Sequence, residues 1–245
     1  LYPIVSGKEG LARLDYGIIG TMVTIGFLHT SDVHPATFRA LVVELAPQVT
    51  DHHLVDESLL SDARAGRPYT ERLRARLGEL AEAGAEVIIC TCSTIGGTAE
   101  ELAPNVLRVD RPMAEQAARH DRIGVLHAVE STLTPTRALL IEAGADPAGV
   151  LPVTCPGAWD LFEAGDLPGY YAAVAERIRA AAGSVDVMVL AQASMAPALD
   201  LLDEAPVPVL SSPRSAVRRA LGLPEGGSAA GRRRTPSDGA PGSGG

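Results

Sequence analysis

Aromatic residues are scarce, 4% of the 245-residue chain with a single tryptophan, and cysteine is scarcer still. The three cysteines, Cys90, Cys92 and Cys155, are too few and too unevenly placed for a disulfide framework, and an odd number leaves one unpaired. Reduced thiols and a cytoplasmic location are therefore the expectation. Positive charge is also in deficit: 21 Lys and Arg stand against 30 Asp and Glu, a formal charge of −9. That balance argues against a nucleic-acid backbone or an anionic membrane surface as partner, while a small anion remains open because its binding depends on the local field. No apolar run approaches the roughly 20 residues needed to span a bilayer. The opening stretch has no basic segment followed by an apolar one, so it does not read as a secretory signal.

Motifs for metals and nucleotides are absent too. His52 and His53 are adjacent in a strand and point to opposite faces, and neither Cys-x-x-Cys nor His-Glu-x-x-His spacing occurs. Gly96-Gly97 forms neither a Gly-x-Gly-x-x-Gly turn nor a P-loop. No metal and no dinucleotide is expected.

What is present is enough apolar sequence, 46%, to bury a sizeable core. Residues 1–21 read as an upstream extension, with folding beginning at Met22. Short apolar runs then alternate with stretches of helical period, the pattern of parallel strands linked by crossover helices. Strands are expected at Thr24 to His29, Thr50 to Val55, Glu86 to Thr91 and Asn105 to Val109, with helices at Pro35 to Leu45 and Thr70 to Ala83. The order then repeats. Strands fall at Arg122 to His127, Val150 to Thr154, Asp186 to Leu190 and Val207 to Leu210. Helices fall from Thr134-Pro135 to Ala143, at Tyr170 to Ala182 and at Ser215 to Leu221. The implied fold class is α/β, with two pseudo-symmetric lobes, residues 22–114 and 115–221, each a four-stranded parallel sheet flanked by helices. One continuous doubly wound sheet is the alternative. Beyond Gly222 the chain turns to Gly, Ser, Ala and Pro, so 222–245 reads as a disordered tail.

In open α/β sheets ligands bind beyond the carboxyl ends of the strands. The third strand ends Cys90-Thr91-Cys92-Ser93-Thr94 and breaks into Ile95-Gly96-Gly97, after which Thr98 and Glu101 match a capping box. Cys92 thus lies on a turn close to a helix start, where unpaired amides and the helix dipole favour a thiolate. Cys90 lies deeper on the same face. Either sulfur can equally be a small buried hydrophobe, the common fate of free cysteine. At the first strand's end, His29-Thr30-Ser31 with Asp32 and His34 brings hydroxyls and imidazoles to the mouth of the lobe, though Asp32 also suits a helix cap. Arg111, after the fourth strand, suits an anionic substrate or an ion pair with a neighbour.

These residues resemble the aspartate/glutamate racemase superfamily. Cys92-Ser93-Thr94 resembles the family's Cys-Asn-Thr with Ser for Asn, and Leu190-Ala191-Gln192-Ala193-Ser194-Met195 resembles its Gly-Cys-Ala-Gly-Met. Gly124-Val125-Leu126 with Ser131-Thr132 is similar to its Gly-Val-Leu-Ala-Thr segment. The resemblance covers roughly Met22 to Leu221. It implies cofactor-independent proton transfer beside the carboxylate of a small substrate such as an amino acid, in an inter-lobe cleft, and it allows a homo-oligomer. By the same resemblance Cys92 is the base or nucleophile. Ser93, Thr94, Ser131 and Thr132 hold the carboxylate, with Thr30 a further ligand and Gln192 with Ser194 as the second lobe's polar contact.

Gln192 stands where the family has its second cysteine and cannot act as acid or base near neutral pH. Three readings follow: a one-cysteine decarboxylation or isomerisation, a second proton from Cys155, His29 or His127, or a cleft that binds a carboxylate without turning it over.

Overall fold

Val87, Ile88 and Ile89 can be apolar in succession only where both faces of a strand are covered, and the structure places them at the centre of a sheet. The computed structural model describes residues 23–224. The expected extension at 1–21 and nearly all of the expected tail at 222–245 lie outside the described residues.

The first lobe comprises β1 (Thr24–His29), α1 (His34–Leu45), β2 (Thr50–Val55), α2 (Glu57–Arg64), α3 (Thr70–Glu82), β3 (Val87–Cys90), α4 (Ser93–Leu102) and β4 (Val106–Arg108). After α5 (Arg111–Ala117) the second lobe follows with β5 (Ile123–His127), α6 (Glu130–Glu142), β6 (Val150–Thr154), α7 (Ala158–Glu163), α8 (Leu167–Ala181), β7 (Val187–Leu190) and β8 (Val209–Ser211), and α9 (Ser212–Ala220) closes the described chain. Both sheets are parallel throughout, in the orders β2-β1-β3-β4 and β6-β5-β7-β8. The lobes therefore share one topology, two separate four-stranded sheets rather than one continuous sheet.

Two glycines occupy matching places in the central strands. Gly26 pairs with Ile88, and Gly124 with Met188. A Cβ on Gly26 would lie 2.9 Å from the Ala85 Cβ, and one on Gly124 would lie 3.0 Å from the Met188 sulfur. At Gly26 the crowding comes from α3 and the turn after it, and at Gly124 from Met188 and the turn before β7.

Several helix boundaries differ from the sequence expectation. Gly96 and Gly97 do not break the chain after β3; they are helical residues of α4, which starts at Ser93 instead of Thr98. The reason is packing: a Cβ on Gly96 would meet the Arg108 Cβ at 2.9 Å, so glycine lets α4 lie against β4. Helix α6 begins at Glu130 rather than Thr134, with Pro135 inside it. Proline leaves the carbonyl four residues earlier without its helical donor, and that carbonyl, on Ser131, accepts a bond from the Thr94 hydroxyl of the other lobe at 3.4 Å. Helices α2, α5 and α7 are short and were not anticipated.

The two lobes exchange helices. Met113, Ala114 and Ala117 of α5 pack into the core under the second sheet with Ile123, Val125 and Val189. Ala216, Val217 and Ala220 of α9 return to the first sheet, against Ile25, Phe27 and Ile89. The boundary expected between residues 114 and 115 falls inside α5.

Candidate active site

The strand β3 ends at Cys90; two residues on, Cys92 is the N-cap of α4, extended at φ −111° and ψ 112°. The second lobe repeats this. Strand β7 ends at Leu190, and Gln192 is the N-cap of the 3-10 segment Ala193–Leu201, at φ −124° and ψ 133°. Cys92 and Gln192 are therefore internal counterparts, each where a central strand turns into a helix. Helix α6 also starts at this level, with Ser131 and Thr132 in its first turn. The first-turn amides of a helix lack intrahelical acceptors and, with the helix dipole, favour an anion.

These helix starts open onto one cleft that encloses about 490 Å³, open solvent included. All eight residues expected at the site, Thr30, Cys92, Ser93, Thr94, Ser131, Thr132, Gln192 and Ser194, line it. Cys92 is mostly buried, 8% exposed; it lines the cleft and also packs in the hydrophobic cluster of Leu28, Leu59 and Ile95. Cys90 is fully buried and Cys155 nearly so, and neither lines the cleft. Burial, with Cys92 nearby, pushes the Cys90 thiol up, and burial pushes Cys155 up.

Several of the eight are already engaged, one across the lobes and two within the second lobe. The Ser93 hydroxyl donates to the Ala191 carbonyl of the other lobe at 3.1 Å. The Gln192 side-chain oxygen accepts from the Ala128 amide at 2.9 Å, which fixes the amide and leaves its NH₂ as the free end. Ser194 bonds the buried Tyr170 hydroxyl at 3.0 Å. Ser131 is different: its Oγ is buried without a partner, and so is Nε1 of Trp159, another lining residue. Both residues line the cleft, so two unsatisfied donors lie buried within its walls.

The remaining candidates fall elsewhere. His29 and His127 are buried and do not line the cleft. His29 hydrogen-bonds a lining residue, Thr91, whose Oγ1 lies 2.9 Å from its Nδ1. On its other side His29 Nε2 is 2.8 Å from His53 Nδ1, and His53 Nε2 is 2.6 Å from Asp51. Burial, reinforced by His34 and His53, takes His29 down to about 2, so the ring is neutral. His34, at the start of α1, does line the cleft, and burial lowers it to about 4. Arg111 does not face the cleft. It pairs with Glu100 at 2.6 Å and Glu142 at 3.2 Å, beside a buried pair in which Arg108 grips Asp110 through two bonds of 2.7 and 2.9 Å.

Sequence reasoning missed one wall. Leu60 and Arg64 on α2, with Trp159 and Phe162 on α7, complete the lining. Arg64 lies over the Trp159 ring at 4.9 Å, joining the two lobes at the mouth. The sole tryptophan and the Asp56 cap of α2, which accepts from the Ser58 amide, were the available signals. Among the described residues no cluster of His, Cys, Asp and Glu is placed to hold a metal ion, and no helix is long and apolar enough to cross a membrane.

No protein-family model and no curated protein matches the sequence. Solved structures do match. An aspartate racemase from Picrophilus torridus superposes at a TM-score of 0.61 with 14% identity, over 82% of this chain and 93% of that one. A glutamate racemase from Francisella tularensis, in complex with D-glutamate, gives 0.60 with 16% identity over 82% and 80%. An allantoin racemase from Klebsiella pneumoniae gives 0.54 with 20% identity over 83% and 90%. The chain has the two-lobe α/β fold of the aspartate/glutamate racemase-like proteins.

Proposed function

We propose that this protein is a cofactor-independent enzyme of the racemase and isomerase kind, in which Cys92 moves a proton at the carbon beside a carboxylate. The observation that supports the reading is the placement of one cysteine at the N-cap of α4, in the lining of a cleft rich in hydroxyl-bearing residues.

The mechanism follows from the geometry. First-turn amides of α4 and α6, with the Ser131 and Thr132 hydroxyls, bind the carboxylate, while Thr94 holds the start of α6 through the Ser131 carbonyl. As thiolate, Cys92 removes the α-proton, and the same donors take up charge as it spreads onto the carboxylate oxygens in the enediolate-like intermediate. Gln192, the internal counterpart of Cys92, has its oxygen engaged by Ala128 and can only donate a neutral hydrogen bond. Proton traffic is therefore one-sided, which suits isomerisation, decarboxylation or exchange with retention better than two-base racemisation.

The test is deuterium incorporation. Small carboxylic acids incubated with the protein in heavy water acquire label at the α-carbon, and Cys92→Ala lowers the rate by about 10²–10⁴-fold, the usual contribution of a positioned base. A second reading, a carboxylate-binding protein without turnover, is favoured by Gln192 alone. It is the correct one if acids bind and none exchanges, decarboxylates or isomerises.

A further inference from the structure

The charge census of the cleft wall restricts what kind of carboxylate fits. Of the described residues that line it, Arg64 is the only charged side chain. No Asp or Glu is among them. The acids next in sequence to lining residues, Asp32, Glu130, Asp160 and Glu163, are all exposed to solvent and outside the lining. Glu163 faces Arg64 at 3.9 Å, at the rim. Histidine adds no negative charge, and His34 is held neutral by burial.

An α-amino acid brings a carboxylate and an ammonium. The carboxylate finds helix amides, hydroxyls and Arg64. Its ammonium meets only neutral oxygens, and taking an unpaired cation out of water is costly. The one anion on offer is the Cys92 thiolate itself. An ammonium held against that sulfur would stabilise its charge and weaken it as a base, so the same atom cannot serve as counter-ion and proton acceptor. Leu60, Val129, Trp159 and Phe162 offer apolar lining to the rest of the molecule.

Resting on the carboxylate-binding reading above, we infer that the substrate is a carboxylic acid without an α-ammonium, such as a 2-hydroxy, 2-oxo or plain substituted acid, and that free amino acids are excluded.

Trp159 provides the readout. It is the chain's single tryptophan and lies in the cleft wall, so its emission reports occupancy. Protection of Cys92 from iodoacetamide is a second readout that does not depend on fluorescence. Matched pairs are titrated into the full chain: malate against aspartate, 2-hydroxyglutarate against glutamate, phenyllactate against phenylalanine, each as both enantiomers. The hydroxy acid of a pair is expected to bind at least about tenfold tighter than the amino acid. Ser31→Asp places a carboxylate in the wall at a residue whose side chain makes no described hydrogen bond, and it should narrow that ratio by about tenfold. Amino acids binding as tightly as their hydroxy partners overturn the inference and leave the carboxylate reading standing. A panel in which nothing binds by either readout overturns both.

Discussion

Three thiols in one chain have three environments, and this separates them chemically. Cys92 lines a cleft, whereas Cys90 and Cys155 are sealed and their thiols pushed up by burial. Iodoacetamide on the native protein should therefore modify Cys92 first, at least about tenfold faster than the others, since only an accessible thiolate reacts. Peptide mapping after a timed exposure checks this, and equal labelling of Cys90 would contradict the placement. Histidine gives a pH prediction. His29 and His34 fall from an ordinary value of 6.5 to about 2 and about 4, so the unfolded chain binds their protons more readily than the folded one. Their contribution is complete above about 6.5 and is lost as pH falls, down to about 4 for His34 and about 2 for His29. Each histidine adds a slope of about 1.4 kcal/mol per pH unit in its window. Urea midpoints measured from pH 7 to pH 4 should drop steadily, and His34→Asn should flatten part of that drop.

Among the secondary-structure elements, α4 governs the site because its first residue follows Cys92. Two adjacent glycines in it should respond oppositely to alanine. At Gly96 the new Cβ would strike the Arg108 Cβ, so Gly96→Ala should destabilise by about 1–3 kcal/mol. At Gly97 the nearest atom is the far end of the Arg108 side chain at 3.4 Å, so Gly97→Ala should be neutral or stabilise by up to about 1 kcal/mol through helix propensity. Beneath the same helix, Asp110→Ala leaves Arg108 buried and unpaired, and the expected loss is about 3–5 kcal/mol. Chemical denaturation measures all three. The strands and their order were legible in the sequence because a run such as Val87-Ile88-Ile89 has few other homes. Starts of helices were less legible. Gly96-Gly97 carries the local signature of a turn, and only contact with β4, distant in sequence, makes it helical. Six-residue α7 and eight-residue α2 have too little length to show a period, so Trp159 and Arg64 went unplaced. Cys92 and Thr30 could be placed at the cleft because strand ends are where this architecture opens, whereas Ser131 and Thr132 were legible only through the family resemblance.

On the scale of the whole molecule, the helix exchange should make the two lobes unfold as one. Helix α9 is tied to α1 by the bidentate Arg214–Glu44 pair, with both bonds 2.8 Å, and to α5 by Arg219–Glu115 at 2.7 Å. Trp159 emission reports the second lobe's wall, while far-ultraviolet circular dichroism reports all helices. Their urea transitions should coincide within error, and two separated transitions would show that the lobes are independent. The same linkage keeps the cleft walls in register, since hydroxyls on one half bond carbonyls on the other at Ser93 and Thr94.

The return of α9 to the first sheet also has a consequence for synthesis on the ribosome. The amino-terminal sheet emerges early, yet the helix that covers Ile25, Phe27 and Ile89 is among the last described segments to leave the exit tunnel. The half of the molecule that is made first can be finished only last, and until then its bare apolar face is what a nascent-chain chaperone would meet.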